Sequence, residues 1–180
     1  MAFSYITLLA CLVLALRLGL GLMFAVGAIG KLRNRLKWNE MLAAYQLLPL
    51  ATIVPVAVLM PLAELAVAGG LFAGLPLAGV AGAGLMLLFA LAISINLLRG
   101  RTGLDCGCNP GARPQPIAWS LVVRNVILAG LVAACALPMG PLPLELAVSA
   151  GVAGALGYGL VYILSMLRAM APPEPFRGAR

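Results

Sequence analysis

The 180-residue sequence contains no histidine, and only five of its residues are acidic. Histidine is the commonest metal ligand and general base, so its absence removes the most usual metal and acid–base sites. Charged residues make up 9% of the chain, whereas soluble domains carry about 25%. So little charge cannot cover a globular surface in water, which excludes a soluble globule. Disorder is excluded too, because it requires low hydrophobicity.

Long apolar runs dominate the sequence instead. Hydrophobic residues make up 63% of the chain, and the mean hydropathy is +1.09. The runs are continuous, whereas strands of an outer-membrane barrel alternate apolar and polar positions. We therefore predict an all-α polytopic membrane helix bundle of about five spans, a four-helix core plus one. The predicted spans are 4–29, 50–74, 76–98, 117–137 and 142–168. They form a single transmembrane domain over 1–171, followed by a short polar tail at 172–180.

The basic residues indicate how the bundle is oriented. They are concentrated between the first two spans, between the third and fourth spans, and at the C-terminus. Five spans place all three segments on one side, and cytoplasmic loops are enriched in lysine and arginine. We expect a multi-pass protein of the bacterial inner membrane, with the N-terminus outside and the C-terminus inside. The net charge of +7 is thus a topology signal, and we expect the lipid bilayer, and no nucleic acid, as a partner.

The segment 31–48 is too charged to span a membrane. Leu32, Leu36, Ala43 and Leu47 share one helical stripe, so its amphipathicity is moderate. We predict an interfacial helix, with an ordered polar loop as the alternative.

The connection between the third and fourth spans carries Cys106 and Cys108, separated by one glycine. A disulfide between them would close a very small, strained ring, and strained exposed disulfides are the labile or catalytic ones. Nearby arginines favour a thiolate, and Asp105 opposes it. Three hypotheses follow: a redox dithiol, a soft-metal site that adds Asp105 to the thiolates, or two loop cysteines without a role.

Two charged residues, Arg17 and Glu64, fall near the middle of predicted spans. An unpaired charge at that depth is unfavourable, by about 2.5–3.5 kcal/mol on insertion scales. We therefore predict that Arg17 and Glu64 form an ion pair inside the bundle. Arg124 is expected to reach the basic side or to meet Asn96.

Two further cysteines, Cys11 and Cys135, lie within the first and fourth spans. Lone membrane cysteines usually behave as small apolar side chains. Both fall towards the end of the bundle opposite Cys106, so they are a candidate second thiol pair.

Several short motifs, in this order, point to a family. They are Arg17, then GKLRN, YQLLP, PLAELAVAGGL, NLLRGR, DCGC and IAWSLVVRN, and together they cover roughly residues 13–137. This order resembles the methylamine utilisation protein MauE family, within the broader DoxX-like membrane proteins. The resemblance implies a multi-helix inner-membrane protein that works beside thioredoxin-like partners. It also implies a link to the maturation of methylamine dehydrogenase, whose small subunit is rich in disulfides.

The resemblance assigns roles to individual residues. Cys106 and Cys108 match the family's DCGC motif, which implies that they are the catalytic thiols. The remaining matches are membrane-embedded polar positions that support the site, namely Arg17, Glu64, Asn96, Arg124 and Asn125.

Our leading hypothesis is a membrane thiol–disulfide redox protein, a candidate oxidoreductase, or the membrane partner of a thioredoxin-like protein. It would assist the maturation of an exported client and could belong to a membrane complex. The alternatives are a non-catalytic assembly or scaffold subunit and, third, a soft-metal or small-solute transporter. We predict no cofactor and no bound metal from the residues, with a quinone or a soft metal left open.

Overall fold

The computed structural model describes residues 5–106, 115–137 and 142–170. Helices are the regular secondary structure of these residues, and they confirm the predicted all-α membrane bundle. The helices are α1 (Tyr5–Arg33), α2 (Arg35–Tyr45), α3 (Leu50–Phe72), α4 (Pro76–Leu98), α5 (Trp119–Ala134) and α6 (Leu144–Met170). Cys108 and the predicted polar tail at 172–180 lie outside the described residues.

Four of these helices are long and apolar enough to cross a membrane: α1, α3, α4 and the first 21 residues of α6. The fifth apolar helix, α5, has only 16 residues. At 1.5 Å per residue it is about 24 Å long, which is shorter than the ~30 Å hydrocarbon core. The predicted span 117–137 therefore contains a helix that ends before it could cross the whole core.

A tight turn joins α3 and α4. Gly74, at φ +72°, turns the chain between α3 and α4, and α4 begins with Pro76, whose fixed φ suits a first helical position. At Gly70, a Cβ atom would lie 2.6 Å from the Cβ of Ala78. The two helices can therefore meet this closely at the turn only because residue 70 is glycine.

Helix α1 is central to the bundle and packs against α3 on one side and α6 on the other, while α4 packs against α5 and α3. The main apolar core lies between α1, α3, α4 and α5; it includes Leu20, Phe24, Val67, Leu71, Met86 and Val132. Glycine allows α6 to approach α1, because a Cβ at Gly154 would overlap the carbonyl group of Ala15. Small residues at such contacts are typical of membrane helix pairs.

The antiparallel register of α1 and α3 decides which polar residues meet. A Cβ at Gly74 would lie 3.2 Å from Nη1 of Arg17, so these two residues share one depth. Gly27 lies beside the carboxylate of Glu64. Ten residues of α1 separate Arg17 from Gly27, or about 15 Å along the helix axis. Arg17 and Glu64 are therefore too far apart along the bundle to form the predicted ion pair.

We name the two ends of the bundle the basic end and the neutral end. The basic end holds the end of α1, α2, the end of α4 and the start of α5. The neutral end holds the α3–α4 turn and the end of α5.

Candidate functional site

Backbone hydrogen bonds hold Cys106 in place at the basic end. The N–H of Cys106 donates to the carbonyl of Gln115 over 2.8 Å, and the N–H of Ile117 donates to Leu104 over 2.9 Å. They flank an antiparallel bridge between Asp105 and Pro116. The backbone segments 104–106 and 115–117 are therefore paired with each other.

The side chain of Asp105 strengthens this closure. Its Oδ1 atom accepts the backbone N–H of Gln115 over 2.9 Å. Asp105, which was a candidate metal ligand, thus has a structural role at the base of the loop.

Cys106 is buried, with 8% of its surface exposed. It belongs to an apolar group at the basic end, which we call the Cys106 cluster: Tyr45, Ile93, Cys106, Ile117 and Leu121. The cluster joins α2, α4 and α5 to the loop. Cys106 therefore contributes to packing, although it lies in the connection between α4 and α5.

Cys106 is disulfide-bonded, whereas Cys11 and Cys135 are free thiols. The Nη2 atom of Arg124 donates to the sulfur of Cys106 over 3.8 Å. Arg124 lies in the second turn of α5, one turn after Leu121 of the Cys106 cluster. Arg124 thus reaches the basic end, the first of its two predicted positions, while the Oδ1 of Asn96 accepts from Arg101 over 3.2 Å.

Arg101 fastens α2 to α4. Besides Asn96, which is fully buried, its Nη1 atom binds the backbone carbonyl of Tyr45 over 3.3 Å. This carbonyl belongs to the last turn of α2, where orphan acceptors favour a cation. The predicted interfacial segment is thus a helix over Arg35–Tyr45 that is tied to the bundle at its end.

Tyr45 places a polar atom inside the Cys106 cluster. Its side chain is 7% exposed, and its hydroxyl is buried without a hydrogen-bond partner. Burial raises the pKa of Tyr45 to about 12, with a further contribution from the nearby Asp105 carboxylate. The hydroxyl is therefore neutral at physiological pH and has a proton to donate.

The partner of Glu64 is Lys31, and both side chains are buried. Nζ of Lys31 binds Oε1 of Glu64 and lies 5.1 Å from the ring centroid of Trp38 and 5.2 Å from that of Phe89. Aromatic faces attract cations at such distances. The predicted Arg17–Glu64 pair is wrong because the stagger of α1 and α3 brings Lys31, and not Arg17, to Glu64.

Pro61 explains why Trp38 is here. Proline has no N–H, so the carbonyl of Ala57, four residues earlier in α3, lacks its helical donor. Nε1 of Trp38 donates to this carbonyl over 3.0 Å. Trp38 of α2 therefore supplies the hydrogen bond that Pro61 cannot make in α3. Its ring also lies beside the buried ammonium group of Lys31.

Arg17 binds backbone carbonyls at the neutral end. Its Nε and Nη2 atoms donate to the carbonyl of Cys135 over 3.0 and 2.8 Å, and Nη2 also donates to that of Leu137 over 2.9 Å. A helix C-terminus leaves carbonyls without partners and carries partial negative charge. Arg17, which is 4% exposed, therefore stabilises the end of the short helix α5.

The remaining predicted residues are Cys11, Cys135 and Asn125. Cys135, at the end of α5, is fully buried, and its thiol donates to the carbonyl of Leu131 over 3.5 Å. Asn125 is buried in α5. Both cysteines of the candidate second pair, Cys11 and Cys135, belong to the neutral half of the bundle.

Sequence reasoning missed Lys31, Trp38 and Tyr45. Lys31 had been counted with the basic loop residues, yet it continues the buried stripe of α1 that holds Arg17, Leu20, Phe24 and Ala28. This helical spacing is visible in the sequence. Tyr45 gave no comparable signal, because the loop that packs on it follows 60 residues later in the chain.

Comparison with known proteins places the chain in a family. Residues 9–138 match the profile described as methylamine utilisation protein MauE. The chain is 41% identical to the methylamine utilization protein MauE of Paracoccus denitrificans over 125 residues, which are 68% of this chain and 67% of the relative. It is 37% identical to that of Paracoccus versutus over 119 residues, 65% of this chain and 64% of the relative.

A third relative is matched over a longer stretch. The methylamine utilization protein MauE of Methylorubrum extorquens is 38% identical over 154 residues, 81% of both chains. The chain thus spans about two thirds of the length of the two Paracoccus relatives. No solved structure matches the chain. The chain belongs to the methylamine utilisation protein MauE family.

Proposed function

We propose that this protein is an accessory membrane protein of methylamine utilisation that exchanges thiols and disulfides through Cys106. It would act with a thioredoxin-like partner in the maturation of an exported protein. The disulfide at Cys106 carries the proposal, because the free thiols Cys11 and Cys135 lie away from it. Family membership supports the methylamine context.

The local architecture suits exchange. Backbone hydrogen bonds fix Cys106 against three helices, and a guanidinium group approaches its sulfur. A partner thiolate would attack the disulfide, form a mixed disulfide and release one cysteine as a thiolate. The partner's second thiol, as a thiolate, would then resolve the mixed disulfide. The partner loses two electrons and becomes a disulfide, and the pair in this protein becomes a dithiol.

The orientation that we propose is N-terminus outside and C-terminus inside the bacterial inner membrane. It rests on the positive-inside rule, and it places Cys106 on the cytoplasmic side. Thiols there are kept reduced, so cytoplasmic dithiols would reduce the pair. Labelling of Cys106 in intact, briefly reduced cells with a membrane-impermeant maleimide tests this. We expect protection until the cells are permeabilised, whereas labelling of intact cells would place the pair outside.

Trapping tests the exchange reaction. The full-length protein would carry Cys11→Ala and Cys135→Ala, so that only Cys106 and Cys108 remain. In this background Cys106→Ser leaves Cys108 as the only thiol of the pair, and acid quenching preserves any mixed disulfide that the second thiol of a partner has not yet resolved. We expect a mixed disulfide with another protein that dithiothreitol removes and that Cys106→Ser/Cys108→Ser lacks. Two results would contradict the proposal. One is an equal amount of adduct in Cys106→Ser and in Cys106→Ser/Cys108→Ser. The other is no adduct in Cys106→Ser at a matched membrane level.

The second candidate function is a non-catalytic assembly subunit. It is favoured by the buried charges, since Arg17, Lys31 and Glu64 all have partners within the bundle. These contacts hold helices together and involve no reacting group. Chemically inert cysteines together with a stable complex in the membrane would support this candidate.

A further inference from the structure

Two polar groups lie within or next to the Cys106 cluster. One is the guanidinium group of Arg124, whose Nη2 atom is 3.8 Å from the Cys106 sulfur. The other is the hydroxyl of Tyr45, which is enclosed without a hydrogen-bond partner. A disulfide sulfur is neutral and a weak acceptor, so the oxidised form gains little from either group. An anionic sulfur would gain from both.

We propose that Arg124 and Tyr45 form a pocket that stabilises Cys106 as a thiolate, which makes Cys106 the sulfur released first when the disulfide opens. This inference rests on the proposed exchange function and specifies the order of its steps. Thiolates are favoured beside arginine, and the neutral Tyr45 supplies the proton of a hydrogen bond.

The other charged groups around the cluster leave this assignment in place. From the loop, Asp105 opposes a thiolate, but its Oδ1 is held by the N–H of Gln115. From the end of α4, the Nη1 of Arg101 binds Asn96 and the Tyr45 carbonyl. The residues that α4 and α5 contribute to the cluster are the apolar Ile93 and Leu121. Among the described residues, Arg124 is thus a charged side chain in hydrogen-bond contact with the sulfur.

The first step balances as a simple displacement. The thiolate of a partner dithiol attacks the sulfur bonded to Cys106. A new sulfur–sulfur bond forms, the bond to Cys106 breaks, and its electron pair remains on Cys106. No proton moves in this step. The charge passes from the attacking sulfur to Cys106, where Arg124 and Tyr45 receive it.

The direct test is a thiolate titration of purified full-length protein in detergent. Cys11→Ala, Cys135→Ala and Cys108→Ser leave Cys106 as the single thiol, and absorbance at 240 nm follows its ionisation. Arg124→Gln should move the titration midpoint up by about one pH unit. Arg124→Lys should restore part of the shift, and Tyr45→Phe should move the midpoint upwards by less. The matched control is Arg35→Gln, an exposed arginine at the far end of α2.

A second measurement uses the intact pair in a dithiothreitol redox buffer. Arg124→Gln should make the disulfide about tenfold harder to reduce, as expected for a shift of one unit, and Arg35→Gln should not. Unchanged midpoints in Arg124→Gln and Tyr45→Phe, or an equal shift in Arg35→Gln, would overturn the pocket. Both readouts need no partner protein. A pocket that fails while partners are still trapped refutes only this inference, and a pocket that holds without a trapped partner refutes the proposed function.

Discussion

The two ends of the bundle bury positive charge in different ways. At the basic end, Lys31 meets a carboxylate and two aromatic rings. At the neutral end, Arg17 meets the backbone carbonyls of Cys135 and Leu137. A full ion pair leaves an uncompensated charge when one partner is lost, whereas a cation on a helix C-terminus leaves only dipoles. The bundle therefore stabilises a buried cation in two ways, and we expect its stability to depend more strongly on the Lys31–Glu64 pair than on Arg17.

The largest effect should come from separating Lys31 and Glu64. Lys31→Met or Glu64→Leu alone should each destabilise the bundle by about 3–5 kcal/mol, because one buried charge remains. The double change should lose much less than the sum. Unfolding in mixed micelles of detergent and dodecyl sulfate measures this. Additive losses would show that the two side chains do not act as a pair.

Arg17→Leu should have the next largest effect. It removes charged hydrogen bonds to two carbonyls, each worth about 1.5–3 kcal/mol at most, and part of this is regained when a buried cation is removed. We expect a net loss of about 2 kcal/mol. Adding Glu64→Leu should give no rescue, because distant sites contribute additively. If Glu64→Leu instead rescued Arg17→Leu, Arg17 and Glu64 would form an ion pair after all, in conflict with the helix register.

The contact between α6 and α1 in the neutral half of the bundle can be tested with a substitution that changes no charge. Gly154→Ala should cost about 1–3 kcal/mol, because the new Cβ meets the backbone of Ala15. Gly157 is the matched control in the same helix, since a Cβ there has no atom within 4 Å. Comparable losses from both substitutions would mean that contact with Ala15 does not set the effect, since helix propensity alone favours alanine over glycine at both positions.

The smallest effect should come from Trp38 at the basic end. Trp38→Phe keeps an aromatic ring beside Lys31 but loses the bond to the Ala57 carbonyl, worth about 1 kcal/mol. Pro61→Ala supplies the missing helical N–H, so Trp38→Phe should have less effect in that background. The exposed Trp119→Phe is the control. An undiminished effect in the Pro61→Ala background would show that this carbonyl is not the reason for Trp38.

The helices themselves were predictable from hydropathy, because a membrane helix must satisfy its backbone internally and present apolar side chains. A helix within 31–48 was predictable from charge and periodicity, but its packing face was not: α2 buries Trp38 and Tyr45, and Leu36 of the predicted stripe is exposed. Helix stagger was not, since it depends on where glycines such as Gly70 and Gly154 let backbones meet. That stagger is why Glu64 was assigned to Arg17 and not to Lys31.

The candidate site was predictable only in part. The Cys-Gly-Cys spacing drew attention to Cys106, but its burial depends on α2, which contributes Tyr45 from far away in the chain. Likewise, Asp105 could be read as a ligand, and its bond to the N–H of Gln115 becomes visible only once the loop is closed. Side chains that act across long loops leave little trace in local sequence patterns.

We propose that the disulfide of Cys106 cycles during methylamine-dependent growth. Acid quenching of such cells, followed by a mass-tagged maleimide, reports the redox state of the pair in a Cys11→Ala/Cys135→Ala background. We predict both oxidised and reduced protein, with a population that changes when methylamine is supplied, and loss of growth on methylamine in Cys106→Ser at matched membrane levels. A pair locked in one state, together with normal growth of Cys106→Ser, would contradict the claim.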